Sequence, residues 1–298
     1  MPRFDNANTI PVNILRGITP TASAWDGQIG FAYYDDGGVF TDDTTDANDA
    51  DAGDVALLPA AEAVGDAFYF GEGFATSNTF NAIKITISQG AAGDTLVWEY
   101  YNGASWVTLT PSLDETNLLA TAGTGLYVKW DTPSDMGHVA VNGQDRYWVR
   151  IRVTAANITQ QPLATQIWIG KYPESLTNAT DGNSTTVATV GMAKASGVGN
   201  YGDLVFDMGS IKNVMVAAKI GIWASSGAVP FYVSYSDDNI TYTSRTTLSA
   251  TSSASSEQIT HSVPSLGKGR YVRLTFQSTA AATINAKLYE VFAYEMGL

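Results

Sequence analysis

The chain has 298 residues, 45% hydrophobic and 15% charged, enough apolar material for two ordinary cores and too much for a disordered chain. Sixteen Lys and Arg stand against 29 Asp and Glu, a net charge of -13, which argues against nucleic acid or an anionic membrane surface as partner. There is no cysteine, and the two histidines are His138 and His261. Disulfides, thiolate metal sites and His-rich metal centres are thereby excluded, and a catalytic triad has almost nothing to draw on.

Residues 1–30 are punctuated by Pro2, Pro11 and Pro20 and lack the apolar core of a secretory signal. They read as an extended N-terminal arm or linker that orders on a partner surface. Next, Asp35, Asp36, Asp42, Asp43, Asp46, Asp49, Asp51 and Asp54 crowd together. The spacing Asp46-x-Asn48-x-x-Asp51-x-Gly53 lacks the alternation and final glutamate of an EF-hand. A solvated acidic loop, or one that meets a basic groove on a neighbouring subunit, is expected there, dispensable for folding of the sandwich. Ala56–Val64 hints at a short helix that Pro59 interrupts.

Beyond this point the patterns alternate with period two. Ile83, Ile85 and Ile87 alternate with Lys84, Thr86 and Ser88, and Val149, Ile151 and Val153 with Arg150 and Arg152, as in strands with one buried face. Asn102-Gly103 between Tyr100-Tyr101 and Trp106 is a hairpin signal. A polar, Pro-containing stretch at Lys171–Ser175 marks a boundary. The two halves repeat one order of elements. Phe80–Ile85, Trp98–Gly103 and Arg146–Ile151 in the first answer to Ile211–Val216, Val233–Asp238 and Arg270–Leu274 in the second. The expected fold is all-β, two tandem antiparallel β-sandwiches of jelly-roll type after the arm, covering 31–172 and 173–298. No run approaches the roughly 18 apolar residues that would span a bilayer, so no membrane insertion is expected.

Four features of the second half come in a familiar order: Asn178-Ala179-Thr180-Asp181-Gly182-Asn183-Ser184-Thr185-Thr186, then Leu204-Val205-Phe206-Asp207-Met208-Gly209, then Tyr232–Asn239, then Gly269-Arg270-Tyr271-Val272-Arg273-Leu274, with Leu288-Tyr289-Glu290-Val291 near the end. In this order they resemble the discoidin, or coagulation-factor type C, family of galactose-binding-like jelly rolls, which includes carbohydrate-binding modules. The resemblance implies a structural calcium ion held by Asp181, Thr186 and Glu290, whose oxygen ligands suit a hard cation. A plain Asx turn joining two strands is the other reading of the same residues. Val187-Ala188 stand where the family usually carries a Trp. The resemblance also implies a sugar pocket on loops, for which the candidates are Trp223, Tyr242 and His261.

In the first half, Asp66–Gly71, Phe80–Ile85, Trp98-Glu99-Tyr100-Tyr101-Asn102-Gly103-Ala104-Ser105-Trp106-Val107, and Val141-Asn142-Gly143 leading into Arg146–Arg150 are similar to a domain of tailed-bacteriophage structural proteins. That resemblance implies a virion component of tail, baseplate or head surface, assembled in the host cytoplasm as a homo-oligomer with other virion proteins. Phosphate loops, nucleotide fingerprints and hydrolase motifs are absent from the sequence. The expected function is therefore non-enzymatic: a structural component of a bacteriophage virion. The alternative is an adhesin that binds host surface glycans through the second sandwich.

Overall fold

The computed structural model describes residues 13–22, 27–51, 55–72, 79–171, 176–186, 188–195, 199–224, 227–252, 258–279 and 282–296. In chain order the strands are β1 (Thr21–Ala22), β2 (Gly27–Gln28), β3 (Phe31–Asp36), β4 (Val39–Asp42), β5 (Val55–Ala56), β6 (Ala67–Gly71), β7 (Ala82–Gln89), β8 (Thr95–Tyr101), β9 (Trp106–Thr108), β10 (Leu113–Asp114), β11 (Gly123–Lys129), β12 (His138–Val141), β13 (Gln144–Ala155) and β14 (Leu163–Gly170). They continue with β15 (Ala188–Ala195), β16 (Gly199–Ala224), β17 (Ala228–Ser236), β18 (Thr246–Ser252), β19 (Gln258–His261), β20 (Ser265–Ser278) and β21 (Ala282–Glu295). Two short 3-10 turns, Asp46–Asn48 and Leu176–Thr180, are the helical elements among the described residues. No helix there is long and apolar enough to cross a membrane.

The protein is all-β and antiparallel, and it divides into two compact units. One consists of Ala24–Tyr172 with Met192–Ser196; the other of Met1–Ser23, Pro173–Gly191 and Gly197–Leu298.

In the first unit, β10-β11-β7-β14-β2 form one sheet, with β5 also on β14, and β4-β3-β6-β13-β8-β9 form another, with β12 also on β13. The period-two pattern decides what lies between them. Ile83, Ile85 and Ile87 of β7 and Ile167 and Ile169 of β14 share one core with Phe68 and Phe70 of β6, Trp98 of β8 and Val149, Ile151 and Val153 of β13. The intervening Arg150 and Arg152 point the other way, where both guanidinium groups converge on Glu99. On that outer face Tyr33, Tyr69 and Trp148 build a second apolar cluster with Phe31, Phe40 and Trp106 around it. The Trp148 indole N–H donates to the Val139 carbonyl at 2.9 Å, tying β12 down. A Cβ on Gly71 would stand 2.3 Å from the Trp148 ring, so only glycine lets β6 pass beneath it.

The Asn-Gly signal closes a hairpin with a four-residue loop: Tyr101 faces Trp106, Gly103 takes φ 89°, and the Asn102 side-chain oxygen accepts the amides of Ala104 and Ser105. Two local expectations are corrected. Residues 57–64 form bends and turns, not a helix, because Leu57 and Leu58 both face the core. The acidic stretch is part of the sandwich. It supplies the end of β3 and all of β4, its Ala47 is fully buried, and the Asn48 amide donates to the carbonyls of Ile29 and Thr44. Asp54 lies outside the described residues.

The second unit is organised by β16 and β20. Residues 199–207 pair with 271–278, and residues 212–216 with 265–269, with a break in register between Asp207 and Lys212 where Gly209 takes φ 75°. The bent ribbon serves both layers. Its first stretch is flanked by β1 on β16 and by β17 and then β18 on β20; along its second stretch β16 pairs with β19 and with β21, and β15 follows β21. Leu204, Phe206, Val214, Val216, Ile220 and Ile222 of β16, Phe231 and Val233 of β17, and Val272, Leu274 and Phe276 of β20 are buried at alternating positions. The strand order β3-β6-β13-β8-β9 of the first unit is thus repeated as β1-β16-β20-β17-β18, and β2-β14-β7-β11 as β15-β21-β16-β19.

The segment read as a free arm is partly built into the second unit. Thr21 and Ala22 pair with Val205 and Leu204 of β16. Asn13 caps the edge of β21, donating to the Val291 carbonyl and accepting from the Ala293 amide. Gly17 N–H donates to the Thr180 carbonyl, whose own hydroxyl donates to the Ile18 carbonyl. Leu15 is fully buried. Prolines gave this segment the look of a linker, but its backbone groups are satisfied by strands far along the chain. Leu15→Ala should therefore destabilise the second unit by about 2–5 kcal/mol, read as a shift in chemical denaturation; an unchanged transition would mean the segment is not part of that core.

Candidate functional site

The turn after the 3-10 segment Leu176–Thr180 is held by its own side chains. Asp181 accepts the Asn183 amide at 2.7 Å through Oδ1 and the Thr186 hydroxyl at 2.7 Å through Oδ2. Asn183 in turn accepts the amide and hydroxyl of Thr185, and Gly182 takes φ 82°. Glu290, on β21, is 1% exposed, and neither of its carboxyl oxygens has a hydrogen-bond partner. Burial, and then the neighbouring Asp181 charge, push its carboxyl up to about 7; the Gly182 amide and Arg16 pull the other way. The structure thus joins Thr186 to Asp181 and places Glu290 within electrostatic reach of Asp181. Among the described residues no group of three or more His, Cys, Asp or Glu could hold a metal. Two carboxylates and a hydroxyl fit a hard cation that takes its remaining ligands from carbonyls or water, and the unpartnered Glu290 oxygens are where such an ion would be held.

A second constellation lies on the β17–β18 connection. The Asp238 carboxylate accepts the amides of Ile240 and Thr241 and the Ser236 hydroxyl, and Asn239 adopts φ 62°, the left-handed turn conformation that asparagine tolerates. These bonds pull the Asp238 carboxyl down. The turn swings Tyr242 back so that the Arg273 guanidinium lies over its ring, 3.7 Å from the centroid. Beside them is a depression of about 370 Å³ whose lining includes Tyr235, Tyr242 and Lys268 together with the acidic Asp237 and Asp238. Its floor is fixed: Tyr235 is 3% exposed and donates its hydroxyl to the Ser265 carbonyl. A Cβ on Gly267 would stand 2.1 Å from the Tyr235 ring, so glycine is required there.

The other two pocket candidates lie elsewhere. His261 is exposed at the end of β19, opposite Lys219 of β16. Trp223 is opposite Asn285 of β21, and its side chain lies outside what is described. Trp223 lies on the second stretch of β16 and His261 on β19, which pairs with that stretch, whereas Tyr242 follows β17 in the first layer, so the three do not form one pocket. Arg273, missed as a site residue, was visible in the repeated Arg-Tyr-Val-Arg strand. Its stacking partner depends on a turn that the sequence does not localise.

Paired carboxylates also occur in the first unit. Glu62 accepts the Ile158 amide and Asp94 the Asn157 amide, and burial raises the Asp94 carboxyl, with Glu62 beside it adding to the effect. Their hydrogen bonds tie loops together.

No family model matches the chain, and no curated protein matches it. Solved structures do. One is described as CpGH89CBM32-6 produced by Clostridium perfringens, 20% identical, covering 40% of this chain and 83% of that one, with a TM-score of 0.24. Another is the CBM32 of AlyQ in complex with 4,5-unsaturated mannuronic acid, 23% identical, covering 43% and 92%, with a TM-score of 0.27. A third is chitosan-binding module 2, in complex with chitotriose, from a chitosanase/glucanase of Paenibacillus sp. IK-5, 19% identical, covering 40% and 84%, with a TM-score of 0.23.

Proposed function

We propose that the chain is a non-enzymatic glycan-binding protein whose second unit holds the sugar against Tyr242. The observation that supports this is the half-buried Tyr242 ring, braced by Arg273 beside a polar depression. Such a site offers an apolar ring face for stacking and several fixed polar groups for hydroxyls. Asp181, Thr186 and Glu290 are proposed to hold a structural calcium ion in the same unit. Its charge would offset the repulsion between the two carboxylates. The test is a glycan array probed with the wild type and with Tyr242→Ala. Binding to a defined set of glycans, weakened roughly tenfold or more in the variant, is expected; a silent array with folded protein would overturn the reading.

A second reading, a building block of an assembled particle such as a virion, is favoured by one observation. Ile259, Val263 and Leu266, along β19 and the start of β20, are 54%, 71% and 69% exposed, as apolar side chains at a subunit contact would be in an isolated chain. The mass in solution by light scattering tests it. A defined oligomer dissolved by Val263→Glu and Leu266→Glu supports assembly, and a monomer at high concentration counts against it.

A further inference from the structure

The repeated strand order places two arginines at matching positions, and their surroundings differ in one respect. In the first unit Arg150 of β13 lies opposite Glu99 of β8 and Tyr69 of β6. Its Nε and Nη2 donate to Glu99 Oε2, both at 2.7 Å, its Nη1 donates to the Tyr69 hydroxyl at 2.9 Å, and its plane lies 4.2 Å from the Trp106 ring centroid. In the second unit Arg273 of β20 lies opposite Ser234 of β17 and Val205 of β16. It stacks in the same way, on Tyr242, but both acceptors are gone. Ser234 is too short to replace a glutamate and Val205 has no side-chain acceptor. Arg273 makes one hydrogen bond, from Nε to the Ser234 hydroxyl at 3.3 Å, and no carboxylate reaches it among the described residues.

A guanidinium presents five N–H donors in a fixed fork that matches a carboxylate in two-point contact. At Arg150 the protein fills that fork from within. At Arg273 the fork is left for something else, against the ring of Tyr242, which borders the depression. Asp238 of that turn is committed to the amides of Ile240 and Thr241, and Asp237 beside it also lines the depression.

We propose that Arg273 and Tyr242 form the recognition site for an acidic sugar, a uronic acid whose carboxylate occupies on Arg273 the position that Glu99 occupies on Arg150. This rests on the glycan-binding reading above and narrows it to a ligand class. The sugar ring lies along the exposed part of Tyr242.

The test is calorimetric titration of the full chain with a short oligogalacturonate and with its reduced, neutral counterpart. The acidic oligomer should bind, more weakly at high salt, and the neutral one roughly tenfold or more weakly. Arg273→Gln should remove that preference. Arg273→Lys, which keeps the charge and loses the fork, should lose most of it. Ser234→Glu should also remove it by supplying the carboxylate from within. Arg150→Gln should leave binding unchanged. Equal binding of acidic and neutral oligomers, abolished by Tyr242→Ala yet indifferent to Arg273→Gln, would overturn the proposal and leave the glycan reading standing. Binding of neither oligomer would sink the proposal, and only a silent array beside it would sink the glycan reading too. Equal binding of polyglutamate would point to an acidic polypeptide instead and overturn the assignment to sugar.

Discussion

Glu290→Gln should make the protein more stable at pH 8, not less, although it alters a buried residue of β21. In the folded chain the Glu290 carboxyl is raised from 4.5 to about 7, by burial and then by Asp181, so the folded state holds its proton more tightly than the unfolded chain does. The stabilisation from that proton is complete below about pH 4.5 and is lost as pH rises to about 7. The displacement corresponds to about 3 kcal/mol, on the order of 10 °C in melting temperature for a unit of this size. Gln keeps the shape, carries no charge and should remove this decline. The measurement is thermal melting of wild type and variant between pH 4.5 and 8 in chelator, with the difference between the two curves as the readout. A difference that stays flat across this range would refute the account. Calcium at millimolar concentration should raise the wild-type curve at pH 8 and leave the variant where it is.

Removing Glu99 should have the opposite sign and at least equal size. Its carboxylate is 7% exposed and receives Arg150 and Arg152 together. Burial pushes the Glu99 carboxyl up, but the Arg152 hydrogen bonds and the Arg150 charge outweigh it and hold the group below its usual range. Its contribution is therefore fully present above the usual carboxylate range and fades as the solution is acidified through the lowered value. Glu99→Ala strands two guanidinium groups against the outer aromatic cluster and should cost about 3–5 kcal/mol at neutral pH. The exposed Arg270–Asp207 pair, 41% and 43% accessible, should contribute far less, because water screens it. Tryptophan fluorescence separates the units, because Trp223 alone of the seven tryptophans lies in the second. The fluorescence-detected transition in denaturant should move to lower concentration in Glu99→Ala; an unchanged transition would contradict the argument.

The sandwich strands were legible because one-sided burial writes itself into a strand every second residue, as at Ile83, Ile85 and Ile87. Repetition of the Arg-Tyr-(Trp)-Val-Arg strand likewise pointed to two units with one strand order. What the sequence hid was pairing. Thr21 and Ala22 contribute two residues to a sheet, too few for any period, and the Asp-rich stretch looked solvated because its one core residue is Ala47. Asp181 and Thr186 share a local turn and could be read together; Glu290 joins them only through the path of β21. Arg273 was quoted as part of a motif, but its missing carboxylate is a property of register. That becomes visible only when Ser234 is seen to stand where Glu99 stands.

The second unit is assembled from both sides of the first along the chain: Asn13 meets Val291 across 278 positions, and Thr21 meets Val205. During synthesis the edge strand β1 leaves the ribosome before its partner exists, and the intervening unit can fold while β1 waits. Closing so long a loop adds only a slowly growing entropic penalty, but it delays completion of the second unit until β16 and β21 have been made. Until then β1 is the strand without a partner, so the order in which the ribosome delivers the chain leaves it open to other nascent strands for as long as the whole first unit takes to be made.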